Sequence, residues 1–383
     1  MLRRLTISLI ALAWVCSTHG GIELTPEKAA AIDALFARFA RADSPGFAVG
    51  IVSGGKLIFA RGYGQANLDY PVPITSQTCF HLASLSKQFT AAAVALLIEE
   101  GKLSLETRVA DFFPEVARFG ADLRVKHLIY FTSGLPEYTS LPRRNGQPWF
   151  SDFYFTIDEA IATTLQAPAL RFAPGEKWEY SNVNYMLLAR MVEKISGLSL
   201  ADFLERRFFV PLGMTHTSLN DDSTLIVPQR AIGYVDRADP AVQKQLASVG
   251  IILRPGKGYA QMLRVSPHYG GSGIFSTLED FARWDNNFYD PIVGGPAFLR
   301  QILHRERFAH DKDNDAFGLV YGQFQGREML WFSGSDLDTS TYFARFPADH
   351  LTVICLSNLT FGNAEEKARE VMSILFQSSV RHP

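Results

Sequence analysis

The chain has 383 residues, a formal net charge of −2 at pH 7 and 47% apolar residues. Near-neutral charge gives no electrostatic case for a nucleic-acid partner. The apolar content is ample for a large core, so one large domain or two intimate ones is expected.

The first residues read MLRRLTISLIALAWVCSTHGG. Arg3 and Arg4 precede an apolar run from Leu5 to Val15. That run is shorter than the roughly 20 residues needed to span a bilayer, but it suits the core of a secretory signal. Residues 1–20 are therefore read as a signal peptide, and 21–383 as the exported, soluble protein, periplasmic or secreted. Trp14 and Val15 before Cys16 do not make a lipoprotein signal, which disfavours an anchor there. No later stretch is long and apolar enough to span a membrane. Cys79 and Cys355 remain after signal removal. They could form one disulfide, but both lie in apolar, strand-like surroundings (TCFHLAS and LTVICLSN), which favours two buried thiols. No His/Cys/Asp spacing suggests a metal site, and no cofactor is implied.

Thr25-Pro26 is expected to open a helix, with proline at its first position. A hairpin follows, Phe47–Val52 and Leu57–Tyr63, turning at SGGK. Phe80–Gly101, FHLASLSKQFTAAAVALLIEEG, is the most informative stretch. Ala91 to Ile98 is apolar on every face, as in a helix buried at the centre of a protein, and Gly101 is a natural stop. At its start Ser84 and Lys87 stand three residues apart, on one helical face. A lysine buried there loses preference for its charged form and becomes a usable base. Ser-x-x-Lys is thus a nucleophile with its base built in. A second copy, Ser53–Lys56, falls on the hairpin turn and is set aside.

From Leu103 to about Pro267 the chain reads as helices and loops, with a helix through Leu187, Met191 and Ile195 that stops at Gly197, and another opened by Ser199. Residues 220–268 carry few signals. After Gly270-Gly271-Ser272-Gly273, the stretch STLEDFARW starts a helix. Four consecutive antiparallel strands are expected at Gly318–Phe324, Glu328–Ser333, Thr339–Phe346 and Leu351–Leu356, and a last helix opens near Asn363. The fold class expected is α/β: an antiparallel sheet flanked by the terminal helices, plus a mostly helical lobe. The sheet lobe would comprise about 21–80 and 270–383, and the helical lobe about 84–268.

An acylating serine also needs a proton shuttle and an oxyanion hole. Tyr180-Ser181-Asn182 can supply a phenol whose pKa is lowered by a nearby ammonium, and an amide to contact Lys87 or substrate. With these residues in hand the chain resembles the serine β-lactamases and penicillin-binding proteins, most closely the class C β-lactamase, esterase and D-peptidase branch. The matching stretches, in order, are FHLASLSKQFTAAAV, LSLETRVADFFPE, HLIYFTSGLPEY, PGEKWEYSNVNYMLLARMVEKISG, PLGMTHTSL, GSGIFSTLEDFARW and YFARFPADHLTVICLSN.

The resemblance implies Ser84 as nucleophile, Lys87 as its base partner, Tyr180 as proton shuttle and Asn182 as a substrate or lysine contact. It places the third motif, Lys/His-x-Gly on a strand, at Phe332-Ser333-Gly334, as substrate-binding residues. The backbone N–H groups of Ser84 and Ser335 would then form the oxyanion hole. Phe332 stands where the family keeps a cation or imidazole, so carboxylate-bearing substrates such as penicillins should be poor. His268-Tyr269-Gly270 has the letters of that motif but precedes a helix, and is read as coincidence. The Gly-x-Ser-x-Gly elbow of α/β-hydrolases is absent, because Ile274 follows Gly273. The function expected is an exported serine hydrolase that cleaves ester or amide bonds of a small-molecule or peptide substrate through an acyl-enzyme on Ser84. The alternative is a binding or scaffold protein that kept the fold and lost turnover.

Overall fold

The computed structural model describes residue 22 and residues 24–120, 122–150, 154–263, 266–308 and 315–377. The expected signal segment and Cys16 lie outside them. Helix α1 spans Pro26–Phe36, and Thr25 caps it by accepting from the Lys28 N–H. Strands β1 (Phe47–Ser53) and β2 (Lys56–Tyr63) form the hairpin, with Gly54 and Gly55 at positive φ in its turn. Helix α2 spans Lys87–Glu99 and α3 spans Asn182–Ser196, which ends at Gly197 in the left-handed region. Helix α4 (Leu278–Asn286) is capped by Thr277. Strands β3 (Val320–Phe324), β4 (Arg327–Asp336), β5 (Thr339–Phe346) and β6 (Leu351–Ser357) follow, then helix α5 (Ala364–Phe376).

The two ends of the chain meet in one six-stranded antiparallel sheet, ordered β3-β4-β5-β6-β1-β2. β1 pairs with β6 in the register Phe47↔Ser357, Val49↔Cys355, Ile51↔Val353. Side chains alternate across a strand, and here both faces are covered. Val49, Ile51, Tyr342, Val353 and Cys355 pack under α1 and α5, whereas Ala48, Phe343, Ile354 and Leu356 join the larger core with α2 and α4. This is why β6 reads as a continuous apolar run: all seven of its residues are buried. Cys79 and Cys355 are both buried and unpaired.

The region with few sequence signals holds a second hairpin. Gly233–Asp236 pairs with Tyr259–Met262, and between them Asp239 caps a helix over Pro240–Ser248. The Asp-Pro start was a visible helix signal; the four-residue strands were too short to show a period. A small sheet that the sequence did not announce joins Phe80–His81, Ile274–Ser276 and Ser218–Leu219. It fixes the approach to α2 against the glycine-rich loop before α4.

α4 is clamped to the main sheet by charge as well as by apolar contact. Arg345 on β5 donates from Nε to Asp285 Oδ1 at 2.8 Å and from Nη2 to the Asp285 carbonyl at 2.8 Å, and Thr352 Oγ1 donates to the same carboxylate at 2.9 Å. The two charged side chains are 3% and 1% exposed. Removing one partner strands the other in the core, so Asp285→Ala should cost about 3–5 kcal/mol. Urea unfolding of the two proteins measures this, and a loss below about 1 kcal/mol, the worth of a surface ion pair, would contradict the clamp.

Candidate active site

α2 is buried from Lys87 to Leu97, on every side. The chain enters it through a 3-10 turn, Ala83–Ser86, rather than with Ser84 already in the α-helix. Ala83 sits at φ 48, a left-handed conformation that costs an alanine on the order of 1–2 kcal/mol. The turn is held there by the small sheet before it and the buried helix after it, and it presents Ser84 to a cleft.

The Lys87 side chain is fully buried, and its ammonium position is enclosed by acceptors. Nζ lies 3.1 Å from Ser84 Oγ, 2.8 Å from Asn182 Oδ1 and 2.7 Å from the Gly271 carbonyl. Tyr180 and Tyr185 rings stand 4.9 and 5.7 Å away. Burial lowers the Lys87 pKa to about 7, against an opposing pull from Glu137 and Asp336. The neutral amine has two hydrogens and one lone pair. Asn182 Oδ1 and the Gly271 carbonyl can only accept, so they take the two hydrogens and the lone pair is left for Ser84.

Asn182 opens α3 and is itself oriented. Glu137 accepts from the Asn182 backbone N–H at 2.5 Å and from its Nδ2 at 3.2 Å. That fixes which end of the amide faces Lys87. Burial raises the Glu137 pKa, offset by these two hydrogen bonds. Tyr180 OH lies 2.8 Å from Ser84 Oγ and 3.3 Å from Asn182 Oδ1, with its ring stacked on Phe131 at 4.8 Å. Burial moves its pKa up, with Glu137 and Asp336 adding to the rise against the hydrogen bond from Ser84. The expected lowering by an ammonium is therefore replaced by a rise, because burial of the phenol itself dominates.

Ser84, Tyr180 and Asn182 line a cleft of about 240 Å³, together with Glu137, His268, Gly271, Ser272, Ser335 and Asp336. Gly334 on β4 passes close behind Ser84. A methyl group there would stand 2.4 Å from the Leu82 carbonyl, 2.4 Å from Thr341 Oγ1 and 3.1 Å from the Ser84 nitrogen. Phe332 is only 8% exposed and belongs to the larger apolar core, and it is Ser335 and Asp336 of the same strand that reach the cleft. Ser333 is half-buried, opposite Tyr342.

The sequence reading missed Glu137, whose only signal was its place after the SGLP turn. It also dismissed His268, which lines the cleft with Nε2 3.8 Å from Asp336 and its ring stacked on Phe155 at 4.5 Å. His81, Asp336 and Asp338 bring ligand-type atoms within 4.8 Å of one another. Both His81 nitrogens, however, are already hydrogen-bonded to protein, to Asp338 and Ser272.

A serine three residues before a buried lysine, a Tyr-Ser-Asn loop beside them, and a strand of an antiparallel sheet closing the cleft define the class of serine β-lactamases and penicillin-binding proteins. The chain belongs to the Beta-lactamase family, whose pattern matches residues 32–375. Among curated relatives it is 35% identical to penicillin-binding protein 4* of Bacillus subtilis over 192 residues, 48% of this chain and 40% of that protein. It is 25% identical to a D-aminopeptidase of Gluconobacter oxydans over 331 residues, 86% of this chain and 58% of that protein. The chain thus spans about half the length of these relatives. Its fold is that of a Bacillus halodurans penicillin-binding protein (TM-score 0.72, 23% identity, 89% of this chain and 98% of that one). It is equally that of a D-amino acid amidase from Ochrobactrum anthropi in complex with D-phenylalanine (TM-score 0.75, 20% identity, 91% and 99%).

The close passage of β4 generates a test. Gly334→Ala must push β4 away from the Ser84 turn by a large part of an ångström, and displacement on that scale costs about 10²-fold in a positioned reaction. Covalent labelling by a fluorophosphonate probe should slow by that order while the protein stays folded by circular dichroism. Labelling at the wild-type rate would show that β4 does not set the geometry at Ser84.

Proposed function

We propose that this protein is a serine hydrolase that cleaves ester or amide bonds through an acyl-enzyme on Ser84. The observation that carries this reading is the placement of Lys87 Nζ against two acceptor-only oxygens and Ser84 Oγ. Neutral Lys87 takes the Ser84 proton as Oγ attacks the substrate carbonyl. The oxyanion forms against the backbone N–H groups of Ser84 and Ser335. Tyr180, a neutral phenol within reach of Ser84 Oγ, carries a proton to the leaving group, and water then releases the acyl group. Asn182, held by Glu137, keeps Lys87 in place. The basic and apolar N-terminal stretch supports export to the periplasm or outside the cell. Among the described residues no helix is long and apolar enough to cross a membrane.

The cleft favours substrates without a carboxylate. The position equivalent to the family's cation carries buried Phe332, and Asp336 brings a carboxylate to the cleft wall. Neutral esters, and amides bearing an amine, fit that field better than penicillins. The relatives named D-aminopeptidase and D-amino acid amidase point the same way. The absence of a cation at 332 also supports the second reading, a binding protein without turnover.

Fluorophosphonate labelling separates the two. Wild type should label, Ser84→Ala should not, and Ser53→Ala and Ser86→Ala should. No labelling of wild type would favour the binding protein. Lys87→Arg, whose guanidinium stays protonated, should lose roughly 10²–10⁴-fold in acylation. Because the base is the neutral amine and its pKa is about 7, kcat/KM for p-nitrophenyl butyrate should rise with pH through that value and then level off. A flat profile from pH 5 to 9 would remove Lys87 as the base. On substrates, p-nitrophenyl butyrate and D-alanine p-nitroanilide should be turned over well ahead of nitrocefin.

A further inference from the structure

The glycine-rich loop that supplies the Gly271 carbonyl to Lys87 also holds a second arrangement of reactive groups. Ser272 lines the cleft beside Gly271. Its Oγ lies 2.9 Å from His81 Nε2, and His81 Nδ1 lies 2.7 Å from Asp338 Oδ1. The side chains of His81 and Asp338 are 1% and 2% exposed. His81 is three residues before Ser84, and its ring is fixed by stacking on Phe275, its partner in the small sheet, at 5.1 Å. Arg230 Nη2 stands 3.7 Å from the other Asp338 oxygen.

The hydrogen bonds settle which nitrogen of His81 carries the proton. The Gly273 backbone N–H, which can only donate, points at Nε2 from 3.4 Å. Nε2 therefore presents its lone pair, and the ring proton sits on Nδ1, toward Asp338. It follows that Ser272 donates its hydroxyl proton to Nε2, which leaves its oxygen free to accept. This is the arrangement in which a hydroxyl can pass a proton to an imidazole oriented by a carboxylate. Nothing in the acylation step uses it, since Lys87 and Tyr180 already serve Ser84.

We propose that Ser272, His81 and Asp338 form a second proton relay that serves the water which hydrolyses the acyl-enzyme; this rests on the reading of Ser84 as the acylated residue. The water gives a proton to Ser272 Oγ as the Ser272 proton moves to His81 Nε2. The hydroxide so formed attacks the acyl carbonyl, and the tetrahedral intermediate collapses with Ser84 Oγ as leaving group, which takes a proton from Tyr180, 2.8 Å away, as the newly formed carboxylic acid returns one to the phenol. The imidazolium then returns its proton through Ser272 to solvent, leaving the carboxylate product and the starting enzyme. Ser272 and His81 move the proton, and Asp338 is a positioning residue that holds the tautomer. The chain would then divide its work, with Lys87 as the base for acylation and His81 as the base for deacylation.

The test separates the two steps. Wild type, Ser272→Ala and Asp338→Asn are mixed with p-nitrophenyl butyrate, and the p-nitrophenol burst is followed together with the butyryl adduct on Ser84 by intact mass and peptide mapping. After rapid removal of the ester, decay of the adduct gives deacylation directly. Asp338→Asn keeps the shape but favours the wrong tautomer, and Ser272→Ala removes the hydroxyl without disturbing the buried pair. Both variants should acylate at close to the wild-type rate, and their adducts should persist about 10²-fold longer, the lower end of what a positioned base contributes. A merely structural role would lower burst and decay together or leave both unchanged, and either result in Ser272→Ala overturns the relay. An adduct that maps to Ser272, or no adduct on Ser84 in any of the three proteins, would overturn the reading of Ser84 and the relay with it.

Discussion

The site depends on the burial of one amine. Transfer of an isolated ammonium into an apolar interior is so costly that such groups shift their pKa and give up the proton. Lys87 is placed where that shift is large but not complete. It lies within a helix with no exposed face along its first three turns, yet its Nζ reaches two carbonyl oxygens and a hydroxyl. Full desolvation would leave an amine permanently neutral, and full solvation would leave it charged. The Gly271 carbonyl and Asn182 Oδ1 stabilise either form through the same two N–H bonds, so only the third direction, toward Ser84, changes on protonation. Much of the surrounding structure keeps those two acceptors in position: the start of α3 carries Asn182, Glu137 orients it, and the small sheet holds the glycine-rich loop.

The fold was legible where one period or one punctuation mark dominated. Thr25-Pro26, Gly197 and the unbroken apolar run of α2 each mark an element by local chemistry alone. Elements stabilised only by neighbours were not legible. Phe80–His81 and Ile274–Ser276 are two- and three-residue strands, too short for alternation, and exist because the loop and the approach to α2 satisfy each other's backbone groups. The same limit applies at the site. Ser84, Lys87, Tyr180 and Asn182 carry a spacing or a motif, and the structure places them in one hydrogen-bonded cluster. Glu137, His81, Ser272 and Asp338 come from separate stretches, and nothing local to any of them shows that it has a partner. His268 was set aside for the element it precedes, although its position against Asp336 depends on where that loop returns, which no local pattern records.

Phe332 then takes a different meaning from the one its letter suggested. Viewed as a replacement in a motif, it removes a positive charge from the cleft. In the structure it lies in the core, 8% exposed, in the same apolar cluster as the aromatic rings around α2. A lysine at that position would carry its own desolvation cost and, as a like charge near Lys87, would push the Lys87 pKa down further. With phenylalanine there, burial alone lowers that pKa, and the carboxylates of Glu137 and Asp336 oppose it. The balance still comes out near neutrality, so the apolar residue is compatible with a working base. At the cleft itself Asp336 stands in the wall, and no lysine or arginine is among the residues that line it; under the proposed function, a neutral or positively charged substrate complements that carboxylate.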